Sequence, residues 1–381
     1  MKVRRSLVAA AVAFAIVAIA AHGRSTPYNN YVLLAQAFIQ GHVAIAFPGS
    51  YIDALPYNGA HYIIEAPMPA LLLLPFVAVF GGANQTLLAI VLAAIAIGAA
   101  YELGERLGVE ANRNAWICAF FLAGTDVLWG AMLGDVWFLA HVSAACFTML
   151  ALVECAGKKR GWLVGIFAAC AVLSRFDLVL ALPVYAYLLQ SRRAIGIMAA
   201  SLAPFALFWV WYNFARWGTW YDIGYTAWYH QDQAGSPVGS PFQLRYFPYQ
   251  LWSFFVQAPA FLPAYPWLQP SYSGVALTWT SPALVLAFFA RAPRNWLLAM
   301  WAATILIAAP NFVYYVNGFA QFGMRHALDF EPFLVALMFM AFRENLARWI
   351  VAIAYALMAY SIAVGLWGCW FWNSFIRTGP G

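Results

Sequence analysis

The 381-residue chain is 65% hydrophobic and 9% charged, with a mean hydropathy of +0.73. So few charges cannot cover a water-soluble domain of this size, which excludes one. The net charge of +6 comes from short basic clusters between apolar runs, a pattern that sets membrane topology and does not point to nucleic acid.

Lys2, Arg4 and Arg5 precede an apolar run over 7–21. We read it as a retained first helix with a cytoplasmic N-terminus. The alternative is a signal peptide cleaved near Ala20-Ala21-His22. Next comes the first long stretch that is not simply apolar, 24–69, with His42, Asp53, His61, Glu65, several tyrosines and several prolines. Such a loop must face water or line a site.

Residues 66–81 are apolar but contain Pro67, Pro69 and Pro75. If they crossed the membrane, Arg106 and Arg113 would fall outside. If they lie along the outer surface, both fall inside, as do Lys158-Lys159-Arg160, Arg192-Arg193, Arg291 with Arg294, and Arg343 with Arg348. Only the second choice satisfies the positive-inside rule throughout. The expected architecture is therefore all-α and polytopic, with about 11 transmembrane helices and juxtamembrane helices in the first outer loop. It forms a single integral membrane domain over 1–381, with outer loops over 23–82 and 213–274. The expected spans after the first are 86–101, 114–128, 136–153, 162–174, 178–189, 194–212, 275–290, 295–312, 332–342 and 349–367. This topology places all six histidines on or near the outer side.

Two places put charge deep. The spans flanking Arg175 and Asp177 are short, so Arg175 should lie within membrane depth. An ionisable group there must be paired or line a polar cavity. A local ion pair and a phosphate contact are both open. The run 333–342 is too short to span, so its helix should extend back to about Met324. That puts Arg325, His326 and Asp329 in its first turns, with Arg325 and Asp329 four apart and able to pair. Arg325 can instead offer its fork to a phosphate. The 213–274 loop is aromatic, with Tyr225 and Trp228 among its rings; an interfacial belt and a sugar-stacking wall both fit. Asp222 and Asp232 there read as solvated. The five cysteines lie in or beside apolar runs without CxxC spacing, against a zinc site or structural disulfide. There is no HxxH or DxD spacing, so we assign no metal ligands, although a divalent metal on the outer histidines is possible.

YNNYVLLAQAFIQGH at 28–42, EAPMPALLLLPFVAVFG at 65–81, ELGERLG at 102–108, YNFARWGTWYDIGY at 212–225 and QFGMRHALDFEP at 321–332 resemble, in this order, segments of the GT-C superfamily. Its members include the aminoarabinose and protein O-mannosyl transferases. The resemblance implies inverting transfer of a sugar from a polyprenyl-phosphate carrier to a lipid or glycan acceptor on the outer side of a plasma membrane. On this reading Arg175 and Arg325, chosen for their depth and outward position, hold the donor phosphate with His326 assisting; Asp53, by elimination, or else Glu65 is the catalytic base; and Asp135, His141, Tyr225 and Trp228 lie around the acceptor or sugar. Many members carry acidic residues early in the first loop, where this chain has Asn29 and Asn30; an amide cannot act as a base. A flippase for a lipid-linked sugar and a non-catalytic scaffold of an envelope polysaccharide pathway are the alternatives. Polar residues gathered at the outer ends of the spans favour an outward-facing site over a transport path.

Overall fold

The computed structural model describes residues 4–49, 52–343 and 346–377; Lys2 lies outside them. The helices are α1 (Arg5–Ala21), α2 (Asn30–Ile39), α3 (Met68–Phe80), α4 (Gln85–Arg106), α5 (Ala111–Ala123), α6 (Val127–Leu133), α7 (Val136–Ala156), α8 (Gly161–Val172), α9 (Leu182–Leu189), α10 (Arg192–Trp217), α11 (Gly224–Gln231), α12 (Phe247–Phe255), α13 (Leu277–Thr280), α14 (Arg294–Asn311), α15 (Glu331–Arg343) and α16 (Arg348–Phe371). Three of their starts, those of α4, α5 and α10, carry side-chain caps. The Asn84 side chain accepts from the Leu87 amide at 2.9 Å, and Ser191 accepts from the Ala194 amide.

Among the described residues, α4, α7, α10 and the run Arg348–Ile376 are long and apolar enough to cross a membrane. The pair α5 and α6, bent by 48°, makes a fifth candidate. The bend follows Gly124, where Thr125 Oγ1 donates back to the Phe121 carbonyl at 2.6 Å, a bond that competes with the helix ladder. The sequence reads as about 11 spans, but the structure gives four or five helices of crossing length. Several other apolar runs are shorter or interrupted. Residues Phe176–Ala181 and Pro282–Phe289 form 3-10 turns, and 3-10 geometry rarely persists beyond a few residues.

The two ends of the bundle differ in charge. Arg4, Arg5, Arg106, Lys158 and Arg160 gather around one recess. There Arg106 donates to Glu102 at 2.9 Å and to the Val153 carbonyl, and Arg160 grips Glu154 with two bonds of 2.9 and 2.8 Å. Helix α3 has both of its ends at the opposite end of the bundle. The Met68 amide donates to the Leu173 carbonyl at 2.8 Å, beyond the last turn of α8. At its far end the Gly81 carbonyl accepts from Gln36 on α2. The adjoining Gln85, at the start of α4, bonds Tyr28, Tyr31 and Gly134. The α3 segment thus leaves and returns on one side.

Glycines let the helices close. A Cβ at Gly161 would lie 2.1 Å from the Ala194 carbonyl oxygen, and one at Gly365 would lie 1.9 Å from that of Ala123. Small residues at helix contacts are how apolar bundles gain packing when burial from water supplies little drive. Gly365→Ala is expected to lower stability by about 1–3 kcal/mol through overpacking. Gly196→Ala, on α10 with nothing within 4 Å of the added carbon, is expected to be neutral or stabilising. Thermal unfolding in detergent micelles compares the two.

Candidate functional site

A cavity of about 1380 Å³ opens at the end of the bundle opposite the basic recess. All nine residues expected to form a site line it: Asp53, Glu65, Asp135, His141, Arg175, Tyr225, Trp228, Arg325 and His326. They come from the first loop, the start of α7, the segment after α8, helix α11 and the turn before α15.

The first loop is fixed by a two-stranded hairpin, β1 (Leu55–Tyr57) on β2 (Ala60–Tyr62), with Leu55 opposite Tyr62. Its turn residues Asn58 and Gly59 have φ of 47° and 76°, the conformation two-residue hairpins require. Arg216 at the end of α10 donates to the Ile63 carbonyl at 3.1 Å. Glu65 follows directly and is buried, with Oε2 unpartnered. Burial pushes its carboxyl up to about 7; the Asp53 charge adds to the rise, while Arg325 and Arg175 oppose it. Asp53 is half-buried and also raised, chiefly by burial, against a hydrogen bond from Trp137 and the Arg325 charge. Its backbone carbonyl accepts from Asn30 Nδ2 at 2.8 Å. Asn30, an amide that cannot act as a base, therefore braces the loop.

Arg175 sits in extended conformation beyond α8. Its Nε donates to Asp329 Oδ2 at 3.1 Å, Nη1 reaches the Tyr225 hydroxyl at 3.4 Å, and Nη2 reaches His326 Nδ1 at 3.3 Å. Asp177 lies 3.9 Å away. Asp329 is fully buried and also bonds His141 Nδ1 at 2.7 Å. The expected pair between Arg325 and Asp329 is not formed. Residues 325–329 are a 3-10 turn, in which residues three apart are eclipsed, so a spacing of four does not align the two side chains. Arg325 keeps an unpartnered Nε and lies 5.6 Å from the Phe138 ring centre. Arg325 and Glu65 each feel the other's charge.

Asp135 starts α7 and accepts from the Thr26 hydroxyl. Burial pushes its carboxyl up to about 6, opposed by that bond and by Arg377. The Tyr225 hydroxyl is pushed up to about 12 by burial. Trp228 packs beside Tyr229, Tyr314 and Tyr315. Asp222 and Asp232 differ from their expected solvated state. Asp222 accepts from the Trp217 indole at 3.0 Å and the Gly224 amide at 2.8 Å, and Asp232 accepts from the Tyr315 hydroxyl. Tyr28, Trp137, Asn317 and Arg377 also line the cavity. No spacing in the sequence marks them, because each is brought in by tertiary packing. His141, His326 and Asp329 bring three potential metal-ligand atoms within 4.8 Å of one another.

This is a mostly helical integral membrane protein, with four or five helices of crossing length among the described residues and a polar cavity at one end. Its structure is similar to the crystal structure of ArnT from Cupriavidus metallidurans bound to undecaprenyl phosphate, with a TM-score of 0.58 and 16% identity. The match covers 97% of this chain and 66% of that one, so this chain spans just under two thirds of ArnT's length. No protein-family model and no curated protein matches the sequence.

The two arginines are expected to behave differently. Arg175→Met leaves the buried Asp329 carboxylate without its guanidinium and should cost about 3–5 kcal/mol of stability. Arg325→Met breaks no ion pair seen here and should unfold close to the wild type in the same thermal assay.

Proposed function

We propose that the protein is an inverting GT-C-type glycosyltransferase that moves a sugar from a polyprenyl-phosphate carrier to a lipid or glycan acceptor on the outer side of the membrane. The observation that carries this reading is the meeting, in one large cavity, of an unpaired guanidinium, Arg325, with a buried carboxyl, Glu65, that has a free oxygen. The likeness to a protein bound to undecaprenyl phosphate supports the donor class.

In this reading Arg325 holds the donor phosphate, with the Arg175 and His326 cluster beside it. The acceptor hydroxyl gives its proton to Glu65 while its oxygen attacks the anomeric carbon. The bond from that carbon to the phosphate oxygen breaks, and the carrier leaves as polyprenyl phosphate. The charge that develops on the phosphate is met by a cation already in place, which is the most effective form of electrostatic catalysis. Glu65 replaces Asp53 as first choice of base. A general base works best with a pKa near the working pH, and Glu65 is the one pushed to about 7. Asp53 acts on it through its charge. Tyr225, Trp228, Asp135 and His141 surround the sugar and acceptor.

Transfer from undecaprenyl-phosphate glucose, followed as release of undecaprenyl phosphate, tests the assignment. Glu65→Gln should abolish it. The base must be ionised, so activity should rise with pH through about 7 and level off above. Asp53→Asn removes a negative charge that raises Glu65, so the rising limb should move to lower pH. Loss of transfer in Asp53→Asn with retention in Glu65→Gln would reverse the two roles.

We further propose that the shorter apolar segments complete about 11 crossings, with α3 lying along the outer surface. In intact cells an impermeant thiol reagent should label Gly82→Cys, whereas Asn112→Cys should label only after permeabilisation. All five native cysteines are buried and give little background. Labelling of Asn112→Cys from outside would overturn this topology.

A further inference from the structure

The cluster of His141, His326, Asp329 and Arg175 brings together three side chains of types that bind metals, yet its hydrogen bonds fix a different chemistry. An arginine can only donate. With Arg175 Nη2 at 3.3 Å from His326 Nδ1, that nitrogen is the acceptor, and the neutral ring carries its proton on Nε2. Asp329, ionised opposite Arg175, can only accept. With its Oδ1 at 2.7 Å from His141 Nδ1, that nitrogen is the donor, and His141 keeps a lone pair on Nε2. The two rings stand edge to face with centres 5.1 Å apart, and both line the cavity. Two oppositely equipped nitrogens therefore remain for a ligand, one N–H donor on His326 and one acceptor on His141.

A metal ion does not fit this set. It needs lone pairs, and His326 has none to offer unless Arg175 is displaced. Both Asp329 oxygens are engaged by Arg175 and His141, and the guanidinium adds a positive charge beside the would-be ion. An ammonium group does not fit either, because it cannot accept from His326. A hydroxyl matches both nitrogens, since it donates once and accepts through its oxygen.

We infer that His141 and His326 are a hydroxyl-recognition pair that selects a neutral, hydroxyl-bearing sugar over a cationic amino sugar. Asp329 and Arg175 set the tautomers and act as positioning residues. This rests on the glycosyltransferase reading for the identity of the ligand, though not for the tautomers.

Two measurements test it. In 15N-histidine spectra of the protein in nanodiscs, His141 should report a protonated Nδ1 and His326 a protonated Nε2. The reverse assignment for either ring, or a shift of both on stoichiometric binding of added zinc, would overturn the pair. In binding to wild type, His141→Phe and His326→Phe, the probes are undecaprenyl phosphate and undecaprenyl-phosphate glucose. Each variant should lose about tenfold more affinity for the glucose-bearing lipid than for the bare phosphate, the size expected for a hydrogen bond inside a site. Equal losses for the two lipids would make the pair structural and sink the inference. If wild type binds neither lipid, the glycosyltransferase reading fails and the spectra still decide the tautomers. A 4-amino-4-deoxyarabinose lipid bound more tightly than the glucose lipid would also contradict the selection.

Discussion

A buried ion pair between Arg175 and Asp329 joins segments that lie 154 residues apart in sequence. It ties the residue that follows α8 to the turn that precedes α15. Through His141 the same carboxylate reaches α7, and through the Tyr225 hydroxyl the same guanidinium reaches α11. Four separate parts of the chain thus meet at two charges. Neither charge is tolerable alone at that burial, because an uncompensated ion away from water is strongly destabilising. The pair therefore holds the floor of the cavity in one arrangement, and the residues around it inherit that arrangement.

Arg175 is held in that ion pair, whereas Arg325 forms no ion pair among the described residues. Arg325 sits one residue from His326 and four from Asp329, yet the 3-10 turn aims it elsewhere. It lies 5.6 Å from the Phe138 ring centre and feels the charges of Arg175 and Glu65. The first loop supplies the Glu65 carboxyl just after a short hairpin, in a segment that Arg216 holds through the Ile63 carbonyl. The loop's early asparagine, Asn30, bonds the Asp53 backbone. Early in this loop the chain carries the amides Asn29 and Asn30, and the carboxyl groups of the loop are Asp53 and Glu65. The cavity thus holds a guanidinium with no ion pair among the described residues, a carboxyl pushed up to about 7, and a histidine pair.

Much of this was legible in the sequence, for a physical reason. In a chain so poor in charge, an ionisable residue at the end of an apolar run must be paired or line a polar space. That rule alone picked out Arg175, Arg325 and His326, and the structure brings them to one cavity with Glu65 and Asp53. Their partners were not legible. Asp329 belongs to Arg175 because of tertiary packing, whereas local spacing pointed to Arg325. Helix type misled there, since a spacing of four carries meaning only on an α-helix. The loop aspartates Asp222 and Asp232 looked solvated because no motif surrounds them, but tertiary contacts supply a tryptophan and a tyrosine. Apolar length overstated how many uninterrupted helices the structure holds, because glycine, proline and 3-10 turns break several runs without changing their hydropathy.

The central claim is that the unpaired guanidinium of Arg325 receives a lipid phosphate in a cavity that also holds Glu65. The most direct measurement is an experimental structure of the protein in nanodiscs containing undecaprenyl phosphate. The account predicts phosphate density against Arg325 inside the cavity, with the Arg175 and Asp329 pair intact. Phosphate bound only at the basic recess at the other end of the bundle, or held by Arg175 after its release from Asp329, would contradict it.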